Sequence, residues 1–464
     1  MKKKMTLKFV TTGLLIAAFF ALTTGVDAQS KKDLKKAQKL TADGSKAFLA
    51  KNFRLAIDKY AEAIVAVPNY AEAHFWKGYA HYQLNEYDQA LTEVNLAAGQ
   101  NYNKPMAIYE LRWYLNFQKN NYDEALADVQ KGLQIEPNNL KMLMALGDIS
   151  RKKKDYRTAL DAYKKTSQMT QVNGDILYYI AESAQGVGDT NEQGTSAAAS
   201  IKRGTQHVGE AYYLVGDSLH KSGKTTEALE AYRQALASKD DIYNVYRAMS
   251  DIYRSQNRYK DAIAISLKGL KFFPNDGKIN ADLSWYYSLD GSNFPAIIAA
   301  NSSIGVLPEQ SLAYNILCRA YTETKQYSMA ISACSKALEI SPNDGENNFY
   351  LGFAYSSTNN TTEAGKYYPK AIKGLEDYTR DNSEYSHGFY LLGNAYYGIA
   401  EYEKSVVAYK KSLELNPGFA KARYNLGALY KYQKRNDLAR EQYNALLNLD
   451  TKLAADLKEL LDKK

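Results

Sequence analysis

A period of 34 residues runs through most of this 464-residue chain. One alanine series shows it, with steps that are mostly 34 or 35 residues, at positions 56, 90, 125, 159, 228, 262, 296, 330, 364 and 439. If Ser405, which takes the place of an alanine 34 residues before Ala439, is included, seven glycines lie 12 residues before a member of this series and six of the nine prolines lie 12 residues after one. A fixed period of this length predicts a chain built from stacked helix-turn-helix units.

The spacing inside each repeat explains why such units would stack. Apolar residues at repeat positions 4, 7 and 11 form one stripe on a first helix, as Tyr246, Met249 and Tyr253 do in the seventh repeat. A second stripe follows at positions 20, 24 and 27. Small residues at positions 8 and 20 allow the two helix axes to approach closely, and the proline at position 32 ends the second helix. One repeat cannot bury its own stripe, so neighbouring repeats must cover it.

The repeats resemble the tetratricopeptide repeat (TPR) family, whose leucine-glycine, tyrosine and alanine pattern is matched by Leu426, Gly427, Tyr430, Ala439 and Tyr443. The resemblance extends over roughly residues 34 to 464. It implies an all-α fold, a right-handed α-solenoid superhelix of about twelve helix-turn-helix units. The repeats begin near residues 37, 71, 106, 140, 174, 209, 243, 277, 311, 345, 386 and 420.

Departures from the pattern suggest how the chain is divided. Repeats 1 to 4 occupy residues 29–173, and residues 209–451 hold repeats 6 to 12 with an insertion near 373–385. The fifth repeat, 174–208, is degenerate, because Gln193 takes a small-residue position and the loop-like run 186–204 is rich in Gly, Ser, Thr and Ala. We expect a possible hinge there. Residues 452–464 are amphipathic, as expected of a capping helix.

The first 28 residues read as a secretory signal peptide. Four lysines precede an apolar run of about 14 residues, and small residues around Val26 and Ala28 suit cleavage before Gln29. An uncleaved membrane anchor is the alternative. After cleavage we expect no membrane span and a location in the periplasm, with secretion or outer-membrane association as further possibilities. Removing these residues lowers the formal net charge from +8 to +5, which makes nucleic acid a poor candidate partner.

The two cysteines, Cys318 and Cys334, occupy positions 8 and 24 of the ninth repeat. In an antiparallel helix pair that turns near position 16, these positions lie opposite one another. In an exported protein they could form a disulfide or remain two reduced packing residues, because neighbouring helix axes often hold Cα atoms farther apart than a bridge can span.

We find no catalytic motif: no HExxH, no GxSxG in a strand-turn-helix setting, no phosphate-binding glycine loop and no Cys-x-x-Cys. His74 and His81 are seven residues apart on one helix face, but no third ligand accompanies them, so we assign them to the core. The sequence therefore predicts no enzyme, no cofactor and no metal.

The resemblance implies that first-helix positions 2, 5, 9, 12 and 13 line a concave groove. The partner-binding residues expected on this basis are Phe75, Tyr79, Tyr82, Tyr114, Phe117, Arg151, Tyr178, Tyr213, Asp217, Arg247, Asp251, Arg254, Trp285, Phe349, Phe353, Tyr390, Asn394, Tyr397 and Tyr424. Aromatic rings dominate both ends of this set and charges its middle.

Such a groove suits an extended peptide or an amphipathic helix, because rings supply contact area at low entropic cost. We expect a non-enzymatic scaffold that binds protein or peptide partners in the cell envelope. The alternative is a glycan or cell-wall adaptor, since rings flanked by Asp and Arg also bind sugars. The sequence does not specify the partner, the pathway or the oligomeric state.

Overall fold

The computed structural model describes residues 30–170 and 173–463, and this part of the chain is helical, with no β-strand. Twenty-five helices form twelve antiparallel hairpins followed by one last helix. From the second hairpin on, each first helix begins within one residue of the repeat start expected from the 34-residue period. The expected fold class, an α-solenoid of twelve TPR-like units with a capping helix, is confirmed. The signal peptide lies outside the described residues.

The chain divides into two compact bodies, which meet in sequence between Ser238 and Lys239. Hairpins 1 to 6 make up the N-terminal body. Its helices are α1 (30–49), α2 (Phe53–Ala66), α3 (Ala71–Gln83), α4 (Tyr87–Gly99), α5 (Pro105–Gln118), α6 (Tyr122–Ile135), α7 (Leu140–Lys152), α8 (Tyr156–Met169), α9 (Gly174–Val187), α10 (Thr190–Lys202), α11 (Val208–Lys221) and α12 (Thr225–Ser238).

Hairpins 7 to 12 and the last helix make up the C-terminal body. Its helices are α13 (Tyr243–Ser255), α14 (Tyr259–Phe272), α15 (Gly277–Leu289), α16 (Asn293–Val306), α17 (Ser311–Glu323), α18 (Tyr327–Ile340), α19 (Gly345–Ser357), α20 (Thr361–Asp381), α21 (Ser386–Gly398), α22 (Tyr402–Leu415), α23 (Ala420–Tyr432), α24 (Asn436–Leu446) and α25 (Thr451–Asp462).

The turn inside every hairpin contains one residue with positive φ. Glycine fills this position in three hairpins, asparagine in four, lysine in four and alanine in one, at residues 51, 85, 120, 154, 188, 223, 257, 291, 325, 359, 400 and 434. In the second hairpin, the N–H of Glu86 donates to the carbonyl of His81, and the N–H of Asn85 donates to the carbonyl of Tyr82. A left-handed residue with these bonds caps a helix end and reverses the chain within a few residues.

In five of the twelve hairpins, a glycine that faces a tyrosine ring sets the distance between the two helices. A Cβ on Gly147 would lie 2.5 Å from the Tyr163 ring, and one on Gly393 would lie 2.5 Å from the Tyr409 ring. The same pairing, 16 residues apart, occurs between Gly44 and Tyr60, Gly216 and Tyr232, and Gly352 and Tyr368. The tyrosine therefore packs directly on the backbone of the first helix, which only a residue without a side chain allows.

In the ninth hairpin the glycine and tyrosine positions hold Cys318 and Cys334, and a disulfide joins them. Their Cα atoms are 4.6 Å apart, and both side chains are fully buried. Of the two alternatives left open by the sequence, the structure has the bridged one. The bridge takes the place that the tyrosine ring fills in those five hairpins.

The fifth hairpin is better formed than its composition suggested. The run expected to be loop-like, 186–204, is mostly helix α10, so this expectation was wrong. Gln193 is fully buried, and its Nε2 donates to the Leu214 carbonyl at 2.9 Å and to Asp217 Oδ2 at 2.8 Å. These bonds explain how a long polar side chain occupies a small-residue position. The boundary between the two bodies lies after this hairpin; a hinge at 174–208 stays a prediction.

The insertion near 373–385 lengthens α20 to 21 residues, where the other second helices have 11 to 14. The longer helix passes the start of α19 at two glycines, since a Cβ on Gly374 would lie 2.8 Å from the Cα of Gly345. At the C-terminus, α25 buries Ala454 and Leu457, and Leu457 packs on Gly427. Helix α25 thus covers the last hairpin as a cap.

We expect Gly393→Ala to destabilise the C-terminal body by about 1–3 kcal/mol, because the new methyl group overlaps the Tyr409 ring. Urea denaturation followed by circular dichroism measures this change. Gly365→Ala in α20 is the matched control. Nothing lies within 4 Å of a Cβ there, so the same substitution should leave stability unchanged or raise it by about 0.5–1 kcal/mol. Equal effects at both positions would contradict the close glycine-tyrosine contact.

Candidate functional site

The first helices of hairpins 1 to 4 enclose a cavity of about 590 Å³ in the N-terminal body. We call it the N-terminal aromatic cavity. Eight aromatic side chains line it: Phe48, Phe75, Trp76, Tyr79, Tyr82, Tyr102, Trp113 and Tyr114. Lys104, Glu110 and Lys141 are the charged residues of its lining.

The rings of this cavity hold one another in place. Phe75, only 5% exposed, stacks on Tyr102 with 4.8 Å between ring centroids, and Tyr82 meets Tyr114 edge-on at 5.4 Å. Such pairs add stability beyond the area they bury. Burial raises the pKa of Tyr102 to about 12, so its hydroxyl stays protonated at neutral pH. The aromatic part of the lining is therefore held in place by ring contacts and carries no charge.

A second cavity of about 470 Å³ lies in the C-terminal body. Helices α17, α19, α21 and α23 supply most of its lining, and we call it the C-terminal aromatic cavity. It contains Thr322, Glu323, Lys325, Tyr327, Phe349, Tyr350, Phe353, Tyr390, Leu391, Asn394, Lys421, Tyr424, Asn425 and Leu453. Phe349 is 4% exposed and lies at the back, whereas Phe353 is 40% exposed.

An ion pair crosses the C-terminal aromatic cavity. Lys421 Nζ at the start of α23 lies 2.8 Å from Glu323 Oε2 at the end of α17, although 98 residues separate them. Helices α19 and α21 lie between them in the sequence of first helices. Four consecutive first helices therefore form an inward-curved wall in this body.

A third cavity of about 560 Å³, in the same body, is polar, and we call it the polar pocket. Its lining includes Arg254, Trp285, Asn315, Arg319, Asn343, Asp344, Glu346, Asn347, Tyr378 and Tyr385. The Arg254 guanidinium lies 4.5 Å from the centroid of the Trp285 ring. Burial raises the pKa of Asp344, which also accepts a hydrogen bond from the backbone N–H of Asn347.

Eleven of the nineteen residues expected to bind partners line one of these three cavities. Phe75, Tyr79, Tyr82 and Tyr114 line the N-terminal aromatic cavity; Phe349, Phe353, Tyr390, Asn394 and Tyr424 line the C-terminal one; Arg254 and Trp285 line the polar pocket. Their role in binding stays a prediction.

The other eight residues lie outside these three cavities. Phe117 packs on Trp113 and Tyr122, Arg151 pairs with Glu182, Tyr178 stacks on His207, Tyr213 stacks on Tyr232, Asp217 accepts from Gln185 and Gln193, Arg247 pairs with Asp282, Asp251 pairs with Arg254, and Tyr397 contacts Tyr402. Most of these partners belong to the same or the next hairpin, so these side chains help to join neighbouring helices.

Sequence reasoning missed several cavity residues because they depart from the repeat. Trp113 stands at position 8, where most repeats have a small residue, and Tyr102 stands at position 32, where many have proline. Both rings line the N-terminal aromatic cavity. A large ring at a small-residue or proline position was the signal that could have found them.

The histidines of the second hairpin are structural. His74 Nδ1 lies 2.6 Å from Glu93 Oε2, and His81 Nδ1 lies 2.7 Å from Glu86 Oε2. The hydrogen bond to Glu93 raises the pKa of His74. Burial raises the pKa of Glu93, but hydrogen bonds from His74 and Lys77 outweigh it, so that pKa is lowered. Within residues 30–170 and 173–463, no three His, Cys, Asp or Glu side chains are placed to hold a metal ion.

We expect Glu93→Gln to lower the free energy of unfolding most between about pH 5 and pH 6.5. His74 has a raised pKa in the folded chain. Its contribution to the free energy of unfolding is present below pH 6.5, its unfolded pKa, and is lost as the pH rises through its folded pKa. Glu93 has a lowered pKa in the folded chain. Its contribution to the free energy of unfolding is present above pH 4.5, its unfolded pKa, and is lost as the pH falls through its folded pKa. Urea denaturation at a series of pH values measures the difference, about 1–3 kcal/mol at its maximum.

Glu62→Gln is the control for this pH series, because Glu62 pairs with Lys59 at the surface and this pair contains no histidine. Its effect should stay below about 1 kcal/mol at every pH. A Glu93→Gln effect that does not change between pH 5 and pH 9 would refute the assigned role of His74.

Sequence models described as tetratricopeptide repeat or TPR repeat match residues 47–104, 196–276, 312–344 and 393–452, which together make half of the chain. Among curated proteins, the chain is 22% identical to Protein CTR9 homolog of Arabidopsis thaliana over 321 residues, covering 60% of this chain and 29% of that protein. It is 18% identical to Anaphase-promoting complex subunit 3 of Schizosaccharomyces pombe over 328 residues, covering 69% and 47%.

The chain thus spans less than half the length of these curated relatives. Among solved structures, the APC/C hetero-tetramer Cut9-Hcn1 aligns with a TM-score of 0.48 and 13% identity, covering 92% of this chain and 96% of the matched chain. The twelve hairpins and the repeat matches lead to one conclusion. This chain belongs to the tetratricopeptide-repeat family.

Proposed function

We propose that this protein is a non-enzymatic, exported scaffold that binds extended peptides or helices of protein partners on the first-helix walls of its two bodies. The observation that carries the proposal is the presence of an aromatic cavity on such a wall in each body. TPR proteins bind protein partners through surfaces of this kind, which favours a protein over other ligands.

The chemistry of the two cavities fits side chains of a partner protein. Each cavity is within the size range of specific ligand sites, about 300–1,000 Å³. Rings are eight of the thirteen lining residues in the N-terminal aromatic cavity and six of the fourteen in the C-terminal one, and polar and aliphatic side chains complete both linings. Rings anchored by their neighbours lose little entropy when a partner binds, so they give strong contacts for their area. An apolar anchor residue of a peptide or an amphipathic helix would fill each cavity.

Two observations support export to the periplasm. The basic and apolar N-terminal segment has the pattern of a cleaved signal peptide. The buried disulfide between Cys318 and Cys334 suits an oxidising compartment, because such bonds are rare in the reducing cytosol. In the region from residue 30 to 463, apart from 171 and 172, no helix combines the length and apolarity needed to cross a bilayer.

A photoreactive phenylalanine analogue at Tyr79 or at Phe353 should form covalent adducts with partner proteins in an envelope extract of the native cell. Mass spectrometry identifies the partner and the crosslinked segment. The same analogue at Phe294, which is 67% exposed on the second helix α16, is the control and should give no adduct. Tyr79→Ala should weaken the affinity of a peptide crosslinked at Tyr79 by about tenfold or more, since it removes one anchor ring.

Adducts from Phe294 but from neither cavity position would place binding elsewhere on the surface. If neither cavity position gives a protein adduct in any extract, the protein-binding proposal fails. Retention of full affinity by Tyr79→Ala would show that the N-terminal aromatic cavity does not hold the peptide.

Protein recovered from the periplasm should begin at Gln29, because cleavage is expected after Ala28. Its intact mass should not change on alkylation without reductant, and should rise by two alkyl groups after reduction. N-terminal sequencing and mass spectrometry measure both. An intact residue 1 would contradict cleavage, and two alkylated thiols before reduction would contradict the disulfide.

A further inference from the structure

The polar pocket owes part of its wall to the insertion that interrupts the 34-residue period. Leu375, Tyr378 and Tyr385, which come from the lengthened α20 and the turn after it, line one side. The contact between Gly345 and Gly374 holds this wall against the start of α19. The other hairpins have no such extension, so the insertion adds side chains that close off a stretch of the first-helix wall.

Two side chains of this pocket have hydrogen-bonding capacity that the protein itself does not use. Asn347 is 1% exposed, and its Nδ2 donates to Asn315 Oδ1 at 2.8 Å, but its own Oδ1 has no partner. The nearest carboxylate oxygen to the Arg319 guanidinium is Glu346 Oε1, 4.0 Å from Nη1, which is too long for a hydrogen bond. A buried acceptor without a donor is costly, so an unpaired amide oxygen on a residue of a cavity lining points to a ligand.

The lining of the pocket carries both basic and acidic side chains, Arg254 and Arg319 on one hand and Asp344 and Glu346 on the other. Arg254 also pairs with Asp251. An anionic ligand would meet carboxyl groups and a cationic ligand would meet guanidinium groups. The pocket therefore favours a ligand without net charge.

The ligand must also donate to Asn347 and accept from Arg319. A carboxylate or phosphate only accepts, whereas a hydroxyl group does both. The ring of Trp285 and the rings of Tyr378 and Tyr385 add apolar surface, against which the C–H face of a sugar ring can pack. The cavity of about 560 Å³ is in the size range of specific ligand sites.

We propose that the polar pocket is a binding site for a neutral saccharide. Asn347 and Arg319 form hydrogen bonds with its hydroxyl groups. The rings of Trp285 and Tyr385 pack against its sugar rings, and the Tyr385 hydroxyl adds a hydrogen bond. This site is chemically different from the two aromatic cavities, and the proposal does not depend on the protein-binding function. A peptide end is the competing occupant, because amide groups also donate and accept.

The test is a glycan array that carries neutral and anionic oligosaccharides, probed with the purified, labelled chain. We expect retention of neutral glycans, and isothermal titration with the best of them gives the dissociation constant. Asn347→Ala should weaken binding by about tenfold or more, because the glycan loses its acceptor. Asn348→Ala is the matched control: Asn348 is the next residue in α19, is also 1% exposed, and bonds to Pro342 and Asp344 carbonyls instead.

Tyr385→Phe is the second variant, in case Asn347→Ala does not fold, and it should also weaken binding because it removes a hydroxyl from the pocket wall. Phe353→Ala, in the C-terminal aromatic cavity, should leave glycan binding unchanged. Retention of no neutral glycan, retention of anionic glycans alone, or binding that is insensitive to both Asn347→Ala and Tyr385→Phe would each overturn the proposal. If the chain binds a peptide without displacement of any glycan, and Asn347→Ala abolishes this peptide binding, the pocket holds a peptide end and the saccharide proposal is overturned.

Discussion

The close approach of two helices at one glycine is the constraint on which five of the twelve hairpins depend. Because Gly147 has no side chain, the Tyr163 ring packs on its helix backbone, and the Tyr163 hydroxyl reaches Asp148 Oδ1 at 2.7 Å. Tyr409 makes the equivalent bond to Asn394 at 2.6 Å. The ring thus fills the space between the helices and fixes the polar residue that follows the glycine. One tyrosine side chain therefore packs the two helices together and also positions a polar side chain on the first helix.

The fold could be predicted from the sequence because its determinants are local and repeated. Helix starts, turns and the glycine-tyrosine pairs recur with the period, so an error in one repeat is corrected by the others. The fifth hairpin shows the limit of this reasoning. Its small and polar residues suggested a loop, but tertiary contacts, such as the bonds from Gln193 to Leu214 and Asp217, stabilise a helix there. Composition alone does not contain those contacts.

The candidate site was less predictable, because it arises where the repeat is broken. The register assigned Tyr79 and Phe353 to an inward-facing wall, and both line cavities, yet it could not indicate that Trp113 and Tyr102 would line a cavity from atypical positions. Nor could it show that the insertion that lengthens α20 would build a pocket wall. A periodic pattern describes what all units share, whereas a binding site depends on what one unit has alone. In this chain, residues that depart from the repeat supply part of the lining of the N-terminal aromatic cavity and of the polar pocket.

The ion pair between Glu323 and Lys421 has a consequence for the wall of the C-terminal aromatic cavity. Both side chains line that cavity, and the lysine is 53% exposed, so water and dissolved ions reach the pair. Attraction between exposed charges is screened within about 10 Å at 0.1 M ionic strength. The attraction between Lys421 and Glu323 is therefore weaker at high salt than in dilute buffer. Ionic strength changes the strength of this link between α17 and α23, without any change in the rings that line the cavity.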